Sequence, residues 1–133
     1  MKHENIIPAS AICILNSEGR ILMLEKNGVW GLPGGKCKST ETYLDAAIRE
    51  LGEETGIVAE GPWLTNWRFE LDDFAGKTYS VMTYGLMMVY YPEVTISAEH
   101  SDYIWVTPQT ALSTLPLMGP MTKSFLEELA CFN

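Results

Sequence analysis

Three carboxylates, Glu50, Glu53 and Glu54, stand at i, i+3 and i+4, and that spacing constrains this chain more than any other feature in it. At about 100° per residue a helix carries all three on one face within a single turn. Like charges so placed repel one another. The turn is therefore either a solvated acidic surface or a holder of cations. Taken alone, the triplet favours the solvated surface, because Glu is a good helix former. The surrounding segment sharpens the choice. Residues 41–55 contain Glu41, Asp45, Glu50, Glu53 and Glu54 against Arg49 alone, a net −4 and half of the chain's formal −8.

The same segment has the pattern of a packed helix. Leu44, Ala47, Ile48 and Leu51 recur at i, i+3, i+4 and i+7, a stripe that packs on a sheet. Ser39 or Thr40 is expected to cap the helix at its start, and Gly56 to end it. Glu41, Asp45 and Arg49 form a further row at i+4 steps. Arg49 can pair with neighbouring carboxylates, and its fork can bind backbone carbonyls of the preceding loop.

Upstream, residues 9–24 are mostly apolar and are broken at Asn16-Ser-Glu-Gly19, which reads as a hairpin turn between two strands. Trp30-Gly-Leu-Pro-Gly-Gly35 is a rigid, glycine-rich bend. Downstream, strands are predicted over 63–71, 78–91 and 99–106, with Asp72-Asp-Phe-Ala-Gly76 as the turn between the first two. The methionine-rich run 81–89 reads as a buried strand filled by Met. Helices are predicted over 108–115 and 121–131, the second with Phe125, Leu129 and Phe132 at helical spacing. The expected fold class is α/β, a mixed β-sheet sandwiched between α-helices. No repeat or linker divides the 133 residues, so 1–133 is expected to be a single domain.

Composition narrows the function. A net charge of −8 disfavours binding to long nucleic acid. Cys13, Cys37 and Cys131 are widely spaced and form no CxxC pair, which argues against a zinc site or a disulfide framework. The first residues carry no apolar signal core, and 81–91 is too short and too interrupted to span a bilayer. The expectation is a soluble cytoplasmic protein without a membrane partner.

The segment from Gly35 to Ile57 runs Gly, five residues, Glu41, seven residues, then Arg49-Glu50-Leu51-Gly52-Glu53-Glu54-Thr55-Gly56-Ile57. It resembles the Nudix box at every specified position. Trp30-Gly-Leu-Pro-Gly-Gly35 resembles the approach to that box, and Tyr103-Ile-Trp-Val106 with Glu99 upstream resembles a late strand of many members. The likeness to the Nudix fold covers nearly the whole chain, and the box is its specific part.

The resemblance implies a hydrolase that cleaves the pyrophosphate linkage of a nucleoside di- or triphosphate derivative with Mg²⁺ or Mn²⁺. Glu50, Glu53 and Glu54 are then the metal-binding set, joined by a backbone carbonyl of Gly35. Glu41, Arg49 and Gly56 are structural members of the box. Glu50 and Glu99 are both candidates for the base that activates water. Trp67, Phe69 and Tyr79 lie on strands that could form a base pocket, although each aromatic alone is more often core. Trp30 reads as a buried aromatic at the sheet edge. Lys36 and Lys38 could touch phosphate or lie solvated. His3 and His100 read as ordinary surface residues. The strands after the box could support a homodimer.

Within this family the short chain leans toward a MutT-like nucleoside triphosphate pyrophosphohydrolase. Alternatives are an ADP-ribose, sugar-nucleotide or dinucleoside polyphosphate pyrophosphatase. The proline that marks the ADP-ribose group has no match here, since Asp73 occupies that region and Pro62 comes too early. The tyrosine of the dinucleoside polyphosphate enzymes has no clean counterpart, since Tyr79 comes late. A non-catalytic nucleotide-binding module and a purely structural domain are the remaining readings, and the intact glutamates argue against both.

Overall fold

The computed structural model describes residues 5–131; His3 and Phe132 lie outside them. The strands are β1 (Ile6–Asn16), β2 (Ile21–Lys26), β3 (Val29–Gly31), β4 (Gly34–Lys36), β5 (Thr65–Phe74), β6 (Lys77–Met88) and β7 (Asp102–Val106). The helices are α1 (Tyr43–Thr55), α2 (Pro108–Thr114) and α3 (Gly119–Ala130). A short 3₁₀ turn covers Gly61–Trp63. The strands form one mixed sheet ordered β3-β2-β1-β6-β5, with β4 also on β1 and β7 also on β2.

Period-two alternation sorts the side chains between two layers. Ile12 and Ile14 of β1 and Leu22 and Leu24 of β2 pack with Ala47 and Leu51 of α1. The alternate residues Cys13, Ile21 and Met23 face Ala111 of α2 and Phe125, Leu126 and Leu129 of α3. The expected sandwich is thus present, with α1 on one face and α2 and α3 on the other. Leu44 and Ile48 of the predicted apolar stripe sit at the edge of the first layer, partly buried.

β1 changes partner along its length, and this creates the site. Its later part meets β2 across the predicted Asn16–Gly19 turn, with Leu15 opposite Ile21. Its earlier part meets β4, with Ala9 opposite Lys36, Ser10 opposite Gly35 and Ala11 opposite Gly34. On the other side it runs parallel to β6 from Ile6↔Thr78 to Asn16↔Met88.

Several boundaries differ from expectation. The helix begins after Thr42, not after Ser39 or Thr40: Thr42 Oγ1 accepts from the Asp45 backbone N–H at 3.1 Å, and Asp45 returns a bond to the Thr42 N–H at 3.3 Å. This reciprocal capping box satisfies two donors that a cap at Ser39 or Thr40 would leave open. Glu41 therefore lies in the loop, outside the helical row assigned to it. The β5–β6 turn is only Ala75-Gly76, because Phe74 pairs with Lys77; Asp72 and Asp73 are strand residues. The first part of the predicted 63–71 strand is the 3₁₀ turn, and residues 99–101 precede β7. β6 ends at Met88, and Met87 and Val89 are exposed rather than buried filler. Trp30 is buried, as expected.

Candidate active site

The last turns of α1 lie over the glycine bend that leads into β4. The Gly34 N–H donates to Glu54 Oε1 at 2.7 Å. A β-carbon built on Gly35 would meet the Glu50 carboxyl carbon at 2.6 Å, so the absence of a side chain there is what admits Glu50. On the far side of the bend, Ser10 of β1 donates to the Tyr43 carbonyl at the start of the helix, at 2.6 Å. The helix ends at Gly56 in the left-handed conformation, φ 75°, as the sequence predicted.

Arg49 ties these pieces together. Its Nε donates to Glu41 Oε2 at 2.6 Å and its Nη2 to Glu41 Oε1 at 2.9 Å, a two-pronged pair. Nη2 also reaches the Lys36 carbonyl at 3.0 Å. Nη1 donates to Glu50 at 2.8 Å and to Glu53 at 3.0 Å. The Arg49 hydrogen bonds, with the Lys38 backbone N–H, hold the Glu41 carboxyl down to about 2. Glu41, in turn, holds the guanidinium charged beyond its ordinary range. The fork thus fastens loop, bend and helix.

The three glutamates are not equivalent. The Glu50 and Glu54 side chains are 15% and 12% exposed, whereas Glu53 is 55% exposed on the outer edge of the helix. Burial, followed by the charges of Glu50 and Glu99, raises the Glu54 carboxyl to about 7, against the Gly34 N–H that lowers it. His100 Nε2 stands 3.7 Å from Glu54 Oε2, and its Nδ1 is 3.1 Å from Ser97 Oγ. Burial and Lys26 lower the His100 pKa, with Glu99 opposing. The shifts on both partners disfavour charge, which works against an ion pair between them.

Glu54 and His100 line a cleft of about 520 Å³, and Glu50 and Glu53 do not; the size suits a small molecule. Its glycine end carries Gly34, Gly35, Glu54 and His100, with Lys26 and Lys36 beside them. Ala9, Ala11 and Val81 form its floor, and Met118, Met121 and Thr122 cover it from the α3 side; Asp72, Phe74 and Tyr79 close it.

Of the predicted aromatics, Tyr79 is the one that lines the cleft. Trp67 sits at the irregularity between Asn66 and Arg68 and packs edge-on against Phe125, 5.4 Å between centroids. Phe69 is on the opposite face of the sheet, edge-on to Tyr43 at 5.8 Å. Glu99 is bonded to Lys26 at 3.3 Å and its side chain is 71% exposed. Lys36 lines the cleft, and Lys38 is exposed. His100 is not the ordinary surface residue expected; its side chain is 8% exposed and lines the site. Asp72, Phe74, Met118 and Met121 also line the cleft, with no expectation from the sequence. No local pattern marks any of them, because their place in the cleft depends on strand register.

The donors at the glycine end fit a hard divalent cation. They are carboxylate oxygens beside backbone, the set that Mg²⁺ and Mn²⁺ take, and a cation would offset the burial, and after it the charges of Glu50 and Glu99, that keep Glu54 reluctant to ionise. Among the described residues no group of three or more His, Cys, Asp or Glu side chains is placed to hold a metal ion, so Glu50, Glu53 and Glu54 do not gather on one point, and an ion there would take further oxygen ligands from backbone, water or phosphate. Among the described residues, no helix is long and apolar enough to cross a membrane.

A mixed sheet between helices, with an acidic helix turn laid over a glycine bend at one end of a cleft, places the chain among the α/β domains. The family model described as the NUDIX domain matches residues 6–129, and the chain belongs to that family. It is 44% identical over 54 residues to the Bacillus subtilis (strain 168) protein named Uncharacterized Nudix hydrolase YvcI, a stretch covering 39% of this chain and 34% of that protein. It is 44% identical over 52 residues to Phosphatase NudJ of Escherichia coli (strain K12), covering 36% and 34%. The match thus spans about a third of the length of these curated relatives. A MutT NUDIX hydrolase from Burkholderia pseudomallei superposes with TM-score 0.76 at 28% identity, over 93% of this chain and 98% of that one.

Proposed function

We propose that this protein is a metal-dependent pyrophosphohydrolase that cleaves the phosphoanhydride of a nucleoside di- or triphosphate derivative, with nucleoside triphosphates as the principal substrates. The observation that carries this reading is Glu54: a buried carboxyl held by the Gly34 N–H at 2.7 Å, on the wall of a cleft that also holds Lys26 and Lys36. Family membership over residues 6–129 supports the same chemistry. One sheet and its helices bear every part of the site, which supports reading 1–133 as one functional domain.

In this reading Glu50, Glu54 and the Gly35 backbone hold Mg²⁺ or Mn²⁺, and Glu53 joins from the rim. A cation held there would neutralise phosphate charge and lower the pKa of a water bound to it. Lys26 and Lys36 draw the polyphosphate into the cleft and fix its line. We assign water activation to Glu50 rather than Glu99. Glu50 is packed against the bend, whereas Glu99 extends toward solvent on Lys26. Arg49 and Glu41 keep bend and helix in register.

The test is release of nucleoside monophosphate from a panel of nucleoside triphosphates, ADP-ribose, sugar nucleotides and dinucleoside polyphosphates, with Mg²⁺ or Mn²⁺. Turnover that requires metal and favours the triphosphates supports the proposal. Faster turnover of another group of substrates reassigns the specificity, and no turnover of any rejects the activity.

A further inference from the structure

Two carboxylates line the cleft, in different settings: Glu54 beside the glycine bend and both lysines, and Asp72 among aromatic and thioether side chains. Asp72 lies directly across from Tyr79 on β6, and Phe74, two residues on, shares its face of β5. From Gly35 the register runs through Ser10 of β1 and Met82 of β6 to Phe69 of β5, with Asp72 three residues further along that strand; three strand spacings and three residues of rise make the separation roughly 17 Å. That leaves room for a nucleoside between a diphosphate at Gly35 and Asp72.

Among the described residues Asp72 has no hydrogen-bond or ion-pair partner. Its carboxyl is raised by burial and by the nearby charges of Glu70 and Asp73, with no hydrogen bond offsetting them. The neighbouring Asp73, by contrast, takes the Thr78 hydroxyl at 2.6 Å. Asp72 is partly exposed, so a ligand that displaces water from it must itself donate to the carboxylate.

We infer that Asp72 is the base-reading residue of this cleft and selects a nucleobase whose edge carries two adjacent N–H donors, the guanine type. This deepens the hydrolase reading above and rests on it. An ionised carboxylate only accepts hydrogen bonds. The N1–H and exocyclic amine of guanine satisfy both its oxygens side by side. Adenine and cytosine present one amine beside a ring acceptor, which sets lone pair against lone pair. Uracil flanks its single N–H with carbonyls. Tyr79 and Phe74 offer π-faces to any base, so the aromatics hold the ring while Asp72 discriminates.

The experiment compares kcat/KM for GTP, ATP, CTP and UTP with Mg²⁺ in the wild type, Asp72→Asn and Asp72→Ala. The wild type is expected to favour GTP by about tenfold or more, the range of one two-pronged base contact. Asn presents one acceptor and one donor, which complements adenine, so Asp72→Asn should lose that lead and gain on ATP. Asp72→Ala should level the four nucleotides. Removing a charge beside Glu70 and Asp73 leaves the fold intact, which a thermal melt checks.

A wild type without guanine preference, or a preference that survives Asp72→Asn, overturns the assignment. Calorimetric binding of non-hydrolysable α,β-methylene guanosine and adenosine triphosphates separates the two claims. Equal affinities overturn the role of Asp72 even in an active enzyme. A guanine preference in binding without turnover of any nucleotide supports Asp72 and rejects the hydrolase reading alone.

Discussion

Gly35 and Glu50 are in such close contact that any side chain on the first would displace the second, a β-carbon falling 2.6 Å from the Glu50 carboxyl carbon. The bend and the helix turn are therefore one unit. Substituting Gly35→Ala should lower kcat by on the order of 10²-fold, because a shift of about 1 Å in a catalytic group costs that much. The fold should survive, since Glu50 can swing toward solvent. Steady-state kinetics beside a thermal melt check this; unchanged kcat would show that the position of Glu50 is immaterial.

Glu54 is where charge and burial conflict most. Glu54→Gln should remove activity by on the order of 10²–10³-fold while leaving stability unchanged or slightly improved. The substitution relieves repulsion at the crowded helix turn. A variant that keeps wild-type turnover at saturating Mg²⁺ would strip Glu54 of its role.

The raised Glu54 carboxyl also predicts a pH dependence. Its value in the folded, metal-free protein is about 7 against an ordinary 4.5. Between these values the folded state holds a proton that the unfolded state has released. By linkage this group's contribution to stability falls as pH rises through that window. Added Mg²⁺ should reverse the trend and release protons on binding near pH 6. Melting curves from pH 4.5 to 7.5, with and without Mg²⁺, test it against Glu54→Gln, in which the component should vanish.

Arg49 serves Glu41, Glu50, Glu53 and the Lys36 carbonyl at once. Arg49→Lys keeps the charge but cannot reproduce the fork, so it should still lose stability, by about 1–3 kcal/mol, together with activity. Denaturant unfolding gives the measurement. A lysine variant with wild-type stability would mean that charge alone suffices there.

At Gly56 the backbone, not space, sets the requirement: φ is 75°, and a β-carbon would meet only ordinary contacts with Thr95 at 3.6 Å. Gly56→Val should destabilise by about 1–2 kcal/mol, the cost of a left-handed non-glycine residue, and more if the branched side chain strains the turn. Calorimetry would show it as a lowered Tm.

Much of this was legible in the chain because it is local. The stripe of Leu44, Ala47, Ile48 and Leu51, the stop at Gly56, the turn at Asn16–Gly19 and the placing of Glu50, Glu53 and Glu54 on one helix turn depend on periodicities of a few residues. The link from Arg49 to the preceding loop was equally available, since a guanidinium between a glycine bend and an acidic helix turn has few other partners. These patterns carried the fold class and the residues of the acidic turn.

What only the tertiary structure decided is which groups share the cleft. Glu53 sits one step around the helix from Glu50 and Glu54, and the lie of α1 over the bend leaves it outside with Arg49. Tyr79 enters while Trp67 and Phe69 do not, because the irregularity at Asn66–Arg68 and the two-residue alternation of β5 direct their side chains elsewhere. His100 and Asp72 arrive from segments distant in the chain. The physical reason is that helical and strand periods are properties of a few neighbouring residues, whereas convergence on a cleft depends on the register of strands far apart in sequence.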